Sequence, residues 1–231
     1  MWPCLPENSG RKLLAAFLAF LLFTGCCNRE KGMALEGMKA RISLSELKSR
    51  HISPYDLLFK KYAGALGWDW EILASLAYQE SRFKPAVVSR SGARGLMGVM
   101  PGTARRLGVT PGDLSSPATS VRTGVEVLRR FRKGFEHIPD HAEVIKFTLA
   151  SYNAGIGHIR DAQRLAEKYG RNPAVWEDNV AEFILLKREP AYYNDPVVKH
   201  GYLRGTETFN FVRDVVKRAD RYKRQPSFIT Q

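Results

Sequence analysis

Apolar residues recur at helical spacing through most of this chain, and period-two alternation is scarce. Ile72, Leu73, Leu76 and Ala77 form one stripe, with Asp69 placed to cap its start; Pro85 disfavours helical geometry in the residue before it. The pattern predicts a helix from Asp69 that ends near Phe83. Ser53-Pro54 opens a helical segment to about Leu66, and Thr103 to Leu107 forms a short helix after Pro101. Pro117 to Phe135 carries Val121, Val125, Val127, Leu128 and Phe131 at helical spacing. Asp140 and Glu143 form a capping box for a helix running to Asn153; Gly155 and Gly157 then break the path before a second helix to about Lys168. Asp178 to Arg188 and Thr206 to Arg224 repeat the pattern. The fold class is therefore mainly α, with the loop from Val87 to Gly98 suited to a small hairpin.

One polar residue interrupts the apolar logic. Glu80 continues the 72–77 stripe into the last turn of its helix. A carboxylate there is either a buried ion partner, commonly to an arginine, or an acid held neutral for chemistry. The partial negative charge of the helix end and desolvation both oppose ionisation and raise the pKa. A rise of about two pH units corresponds to about 2.7 kcal/mol, the tuning that a general acid needs near neutral pH.

Three further segments follow Glu80-Ser81 in order: Gly95-Leu96-Met97-Gly98-Val99-Met100-Pro101, Ser151-Tyr152-Asn153-Ala154-Gly155, and Arg204-Gly205-Thr206-Glu207-Thr208-Phe209-Asn210-Phe211-Val212. In order and spacing the set resembles the soluble lytic transglycosylase (SLT) domain of the family 23 murein lytic transglycosylases, over roughly residues 52–225. The last segment is most similar to the catalytic domain of the membrane-bound F branch. The resemblance implies a lysozyme-like (SLT or goose-type) fold with no metal and no cofactor. It also implies a lyase that cleaves between N-acetylmuramic acid and N-acetylglucosamine in peptidoglycan glycan strands and leaves 1,6-anhydromuramoyl ends. Carried over residue by residue, Glu80 is the acid and then the base, and Ser81 orients substrate or acid. Met97 lines the cleft, with Gly98 in the adjoining substrate-binding position, and Tyr152 and Asn153 lie beside the cleaved bond. Glu207 is a secondary cleft or structural residue.

A single essential carboxylate suits that chemistry. Ordinary glycosidases use two, about 5 Å apart for retention or roughly 6.5–9.5 Å for inversion. In a continuous helix Glu71 lies about 13.5 Å of rise from Glu80, so neither it nor Asp69 is the second group. The family chemistry removes the requirement, because the muramoyl N-acetyl carbonyl supports the sugar cation and the sugar's own 6-hydroxyl attacks. Two alternatives share the motifs: a goose-type hydrolase, and a non-catalytic wall-binding lipoprotein. Two departures bear on them. The family usually has glutamine where this chain has Gly98, and tyrosine where it has Phe211.

Other features read as packing or solvated surface. His137 and His141 have metal-pair spacing, but Pro139 lies between them and Asp140 reads as a cap, so no metal site is expected. Trp68 and Trp70 read as packing residues, while Tyr192, Tyr193 and Tyr202 suit either a glycan groove or packing. The net charge of +13 calls for a polyanion or acidic surface, and peptidoglycan carboxylates and an anionic membrane supply both. Nucleic acid is disfavoured, because the basic residues spread over several helices without aromatic interleaving. Arg129-Arg130 to Lys133 and Lys217 to Arg224 read as solvated faces.

The amino terminus gives an address. Arg11 and Lys12 precede eleven apolar residues, Leu13 to Phe23, and then Thr24-Gly25-Cys26. The run is shorter than the roughly 20 residues of a membrane span and has the length of a signal-peptide core. It resembles a bacterial lipoprotein signal, with cleavage before Cys26 and lipid on its sulfur. Of the three cysteines, Cys4 would leave with the signal and only Cys27 would remain, so no intramolecular disulfide is expected. The expected organisation is a signal over 1–25, a lipidated N-terminus and linker over 26–50, a catalytic domain over 51–225 and a tail over 226–231. A monomer is expected, anchored in the cell envelope and facing the periplasm. The outer membrane is favoured because Cys27 is not the aspartate of an inner-membrane retention signal.

Overall fold

A computed structural model describes residues 51–224. The expected signal, lipidation site, linker and tail lie outside the described residues.

The helix bearing the stripe is buried over most of its surface. Nine helices matter to the site: α1 (Asp56–Ala63), α2 (Trp70–Ser81), α3 (Pro101–Arg106), α4 (Pro117–Arg132), α5 (His141–Ala154), α6 (Ile156–Lys168), α7 (Ala181–Leu186), α8 (Pro190–Tyr193) and α9 (Gly205–Arg224). In α2 the expected Ile72, Leu73, Leu76 and Ala77 are buried, and so are Glu71, Ala74 and Ser75. A helix buried on this many sides is an interior helix rather than an amphipathic surface one. It packs between α1 and α9. The small Ser75 lets α9 approach closely, and its hydroxyl donates to the Val215 carbonyl at 2.7 Å.

Capping follows the expectation in position and departs from it in chemistry. Asp69 is the N-cap of α2 but makes no cap hydrogen bond; its carboxylate pairs with Lys223 of α9 at 2.5 Å. Asp140 caps α5 as expected, accepting from Ala142 N and Glu143 N. Glu143 does not close the box. It pairs with Lys146 and accepts from Trp176 N, because a long-range partner satisfies a buried donor that a reciprocal cap would leave open.

Helix ends shift where tight turns intervene. The first segment ends in a 3-10 turn, Gly64–Leu66, and α4 ends in another, Lys133–Phe135. The expected helix over 178–188 is instead a kinked turn, Trp176–Val180, with Asp178 at φ 54°, followed by the shorter α7. The hairpin at 87–98 is reduced to two isolated bridges, Val88 with Arg94 and Arg94 with Val99. The core joins Phe59, Leu66, Leu73, Leu76, Leu96, Leu128, Phe135, Phe147 and Trp176, all at most 1% exposed. Phe135 stacks on Phe147, which meets Trp176 edge-on at 5.6 Å between ring centres.

A buried ion cluster ties the loop before α9 to the helices beneath it. Asp161 of α6 is fully buried and accepts from Lys187 Nζ at 2.7 Å and from the Lys199 and His200 amides at 2.9 Å; Arg164 also reaches it. Burial works to raise the Asp161 pKa, but these donors outweigh it and hold the carboxyl down at about 2. Lys187, also fully buried, is pushed down by desolvation.

Candidate active site

Glu80 sits in the last turn of α2, where the chain stops abruptly. Arg82 and Phe83 both take left-handed conformations, φ 54° and 61°, each costing about 1–2 kcal/mol in a non-glycine residue. Aromatic contacts hold the turn. Phe83 meets Tyr78 edge-on at 5.5 Å, and Tyr78 lies between the guanidinium groups of Arg82 (4.4 Å) and Arg218 (4.7 Å). Arg218 also donates to Gln79 Oε1 at 3.0 Å, fastening this end of α2 to α9.

Among the described residues no hydrogen bond or ion pair reaches the Glu80 carboxyl. Arg82, two residues on, and Arg218 of α9 are turned onto Tyr78. That decides between the two readings of a carboxylate on this stripe, because an ion partner would lower the pKa. Burial instead pushes Glu80 from 4.5 up to about 7.

The 95–98 loop forms the surface beside the acid. Its anchor is α4: Ser120 Oγ accepts from Met97 N at 3.1 Å. Gly124 has no side chain to keep Met97 away, and a Cβ there would lie 2.7 Å from the Met97 Cβ. Gly98, at φ +60°, faces the acid directly. A Cβ on it would collide with the Glu80 carboxyl, 2.9 Å from its Cδ. The acid thus occupies volume that any other residue at 98 would fill.

Tyr152 closes the other side. Its hydroxyl donates to the Met97 carbonyl at 2.7 Å, and burial, with a smaller contribution from Glu80, pushes its pKa well above the usual phenol value. Tyr152 therefore stays neutral and fixed. Asn153 follows it, with its Oδ1 accepting from Thr208 Oγ1 of α9 at 2.9 Å, which leaves the amide NH2 to donate outward. Both residues line a cleft of about 440 Å³ together with Gly98, Arg106 and Arg130, a volume within the roughly 300–1,000 Å³ of ligand pockets.

Three of the expected site residues have other surroundings than a cleft wall. Met97 is fully buried rather than cleft-lining; the loop turns it under α4, and its carbonyl serves the site through Tyr152. Ser81 is buried and donates to the Ala77 carbonyl at 2.8 Å, so its hydroxyl proton is used within the helix. Glu207 is exposed at the start of α9 and pairs with Arg204 at 3.4 Å; its neighbour Thr208 is the residue that holds Asn153. Phe211 is a core residue, so its missing hydroxyl leaves no gap in the cleft wall. Tyr192 packs with Tyr169 and Phe183, and Tyr193 meets Tyr202 at 5.8 Å; these three tyrosines are not among the residues that line the cleft with Tyr152.

A transglycosylase SLT domain profile covers residues 57–175, slightly more than half of the chain. The chain belongs to the transglycosylase SLT domain family. Membrane-bound lytic murein transglycosylase F of Vibrio campbellii is 43% identical over 158 residues, covering 68% of this chain and 28% of that protein. The protein of the same name from Aliivibrio fischeri is 40% identical over 176 residues, covering 76% and 34%. The chain thus spans about a third or less of the length of these relatives. The 70 kDa soluble lytic transglycosylase of Escherichia coli superposes with a TM-score of 0.50 and 26% identity, over 73% of this chain and 24% of that one. The mainly α, lysozyme-like fold expected from the motifs is the fold found.

Within this SLT domain the sequence reading missed Arg106, Arg130 and Thr208. Arg130, assigned to a solvated face, lines the cleft with Val127 and Phe131, the residues three before and one after it. Its helical neighbourhood to Val127 was the available signal.

Proposed function

We propose that this SLT domain is a peptidoglycan lytic transglycosylase, and that Glu80 alone carries its proton transfers. The observation that carries the reading is an unpaired carboxyl held protonated up to about pH 7 against Gly98, a residue of the cleft lining. The retaining and inverting two-acid routes need a second carboxylate about 5 Å or roughly 6.5–9.5 Å from the first, whereas the substrate-assisted route needs only the one acid.

Protonated Glu80 donates to the glycosidic oxygen as the bond from muramoyl C1 breaks. The N-acetyl carbonyl of the same sugar supports the positive charge at C1. Glu80, now ionised in a desolvated site, takes the proton of the 6-hydroxyl as that oxygen closes on C1. The acid is restored, no water is consumed, and the new end is a 1,6-anhydromuramoyl sugar. The outward amide of Asn153 suits an acetamido carbonyl, and Tyr152 holds the Met97 carbonyl and the 95–98 loop beside the acid.

The address belongs to the same proposal. Cleavage before Cys26 and lipid on its sulfur would anchor a monomeric domain in the cell envelope, facing the periplasm, more fittingly on the outer membrane than the inner. Support comes from the basic, apolar and Cys26 pattern of the first residues. No helix among the described residues is long and apolar enough to cross a membrane.

The test is mass spectrometry of muropeptides released from purified peptidoglycan by the full chain, with Glu80→Gln in parallel. Anhydromuramoyl products, about 18 mass units lighter than reducing-end equivalents through intramolecular attack, together with activity lost by orders of magnitude in Glu80→Gln, are the expected result. Reducing-end products would make the enzyme a hydrolase, and binding without products would make it a wall-binding module.

A further inference from the structure

The far part of the cleft carries groups that proton transfer does not use. Arg106 ends α3 and Arg130 lies near the end of α4, and both line the cleft with Leu107, Val127 and Phe131. Arg106 donates to Thr103 Oγ1 at 3.1 Å and meets no carboxylate among the described residues. Arg130 reaches Glu126 only through Nε, at 3.0 Å, while Arg129 takes both oxygens of the same glutamate. Three guanidinium groups against one carboxylate leave two positive charges in excess. The remaining N–H groups of Arg130 and Arg106 present the planar forks that suit carboxylates. Among the described residues that line this part of the cleft none is acidic.

The arginines and the acid are linked through two residues of the cleft. Gly98 and Tyr152 line the same cleft, Gly98 lies against the Glu80 carboxyl, and Tyr152 feels its charge. A sugar seated for cleavage would therefore extend a substituent toward the arginine wall. Unsubstituted glycan backbone is neutral, and the anionic groups of this polymer lie on the lactyl ether of muramic acid and on the peptide attached to it.

We propose that Arg106 and Arg130 form a carboxylate subsite that selects glycan bearing an anionic lactyl or peptide-stem substituent. The assignment rests on the peptidoglycan reading above and adds to it a preference among strands. Val127, Leu107 and Phe131 supply an apolar floor for the linking carbons, and the two forks supply the charge recognition. Because both arginines are exposed, the preference should be modest and weakened by salt, roughly tenfold at low ionic strength.

The experiment measures binding to the full chain carrying Glu80→Gln, so that strands are not consumed. Three ligands are compared: stem-bearing strands, amidase-treated strands with free lactyl carboxylates, and the same treated strands with those carboxylates capped as methylamides. About tenfold tighter binding of one or both anionic forms than of the capped form is expected. Arg106→Gln with Arg130→Gln should abolish that difference while leaving the capped form within about twofold. Tight binding of amidase-treated strands assigns the lactyl carboxylate, and tight binding of stem-bearing strands alone assigns the peptide. Equal affinity for capped and uncapped strands, or a preference that survives the double substitution, overturns the subsite while leaving the transglycosylase reading intact. Failure to bind any strand overturns both. Arg106→Lys with Arg130→Lys should keep the charge preference in part, and an unchanged melting curve in each variant separates recognition from folding.

Discussion

At the scale of single residues, the acid is defined by what is missing around it. Glu80 has burial without a partner, so its proton is held by desolvation alone. The linkage has a definite sign. The folded state binds a proton that the unfolded state releases between pH 4.5 and about 7, so this residue stabilises less as pH rises through that window. Glu80→Gln should therefore gain stability relative to wild type above pH 7, by up to about 3 kcal/mol, with no gain below pH 4. Denaturant titrations at pH 4 and pH 8 test this, and a difference that does not change with pH would mean the carboxyl is not held neutral. Gly98 is the second residue defined by absence. Gly98→Ala would push the flexible carboxyl away rather than unfold the loop, lowering kcat tenfold or more with little change in KM and displacing the basic limb of the pH profile from about 7. Gly92→Ala is the matching control: its glycine has φ +90° with nothing within 4 Å of an added Cβ. It should carry a similar backbone cost of about 1–2 kcal/mol and full activity.

Elements matter because the site is assembled from ends. The last turn of α2 supplies the acid, the loop before α3 supplies Gly98, the end of α5 supplies Tyr152 and Asn153, and α9 braces both through Arg218 and Thr208. The loop that leads into α9 is pinned by Asp161. Removing Lys187 would leave that buried carboxylate short of its main counter-ion, so Lys187→Met should cost about 3–5 kcal/mol and lower the melting temperature. Because donors hold Asp161 at about 2 in the fold, its contribution is complete above the ordinary value of 3.8 and fades as pH falls toward 2. The gap in melting temperature between wild type and Lys187→Met should therefore be narrower at pH 2.5 than at pH 6; an undiminished gap at pH 2.5 would remove the charge from the explanation.

For the whole molecule, the charge of +13 and the amino-terminal pattern support the proposal of a basic domain working beside acidic polymers and membranes. Cys26→Ser should leave the precursor unprocessed or release the domain from the membrane fraction, read by fractionation and lipid labelling. Membrane association and lipid labelling that persist unchanged would remove Cys26 as the anchor. Activity of the released domain on isolated peptidoglycan should survive, since the groups that form the cleft all lie within residues 51–224.

Local chemistry was legible in the sequence, and side-chain direction was not. Periodicity placed most helices because burying an apolar stripe is a property of neighbouring residues, and Glu80 could be put in a last turn for the same reason. The ordered motifs identified the family before any contact was known. Tertiary structure alone decided that Ser81 turns into its own helix, that Met97 is core, and that Glu207 stands in solvent beside the Thr208 that matters. Tyr152 meets Met97, and Thr208 meets Asn153, across 55 residues in each case, a separation at which no periodicity carries information. Gly98 reads in the sequence as a lost amide and in the fold as the space an acid occupies. Whether a carboxyl is paired or merely desolvated depends on what other elements bring to it, and only the packed chain determines that.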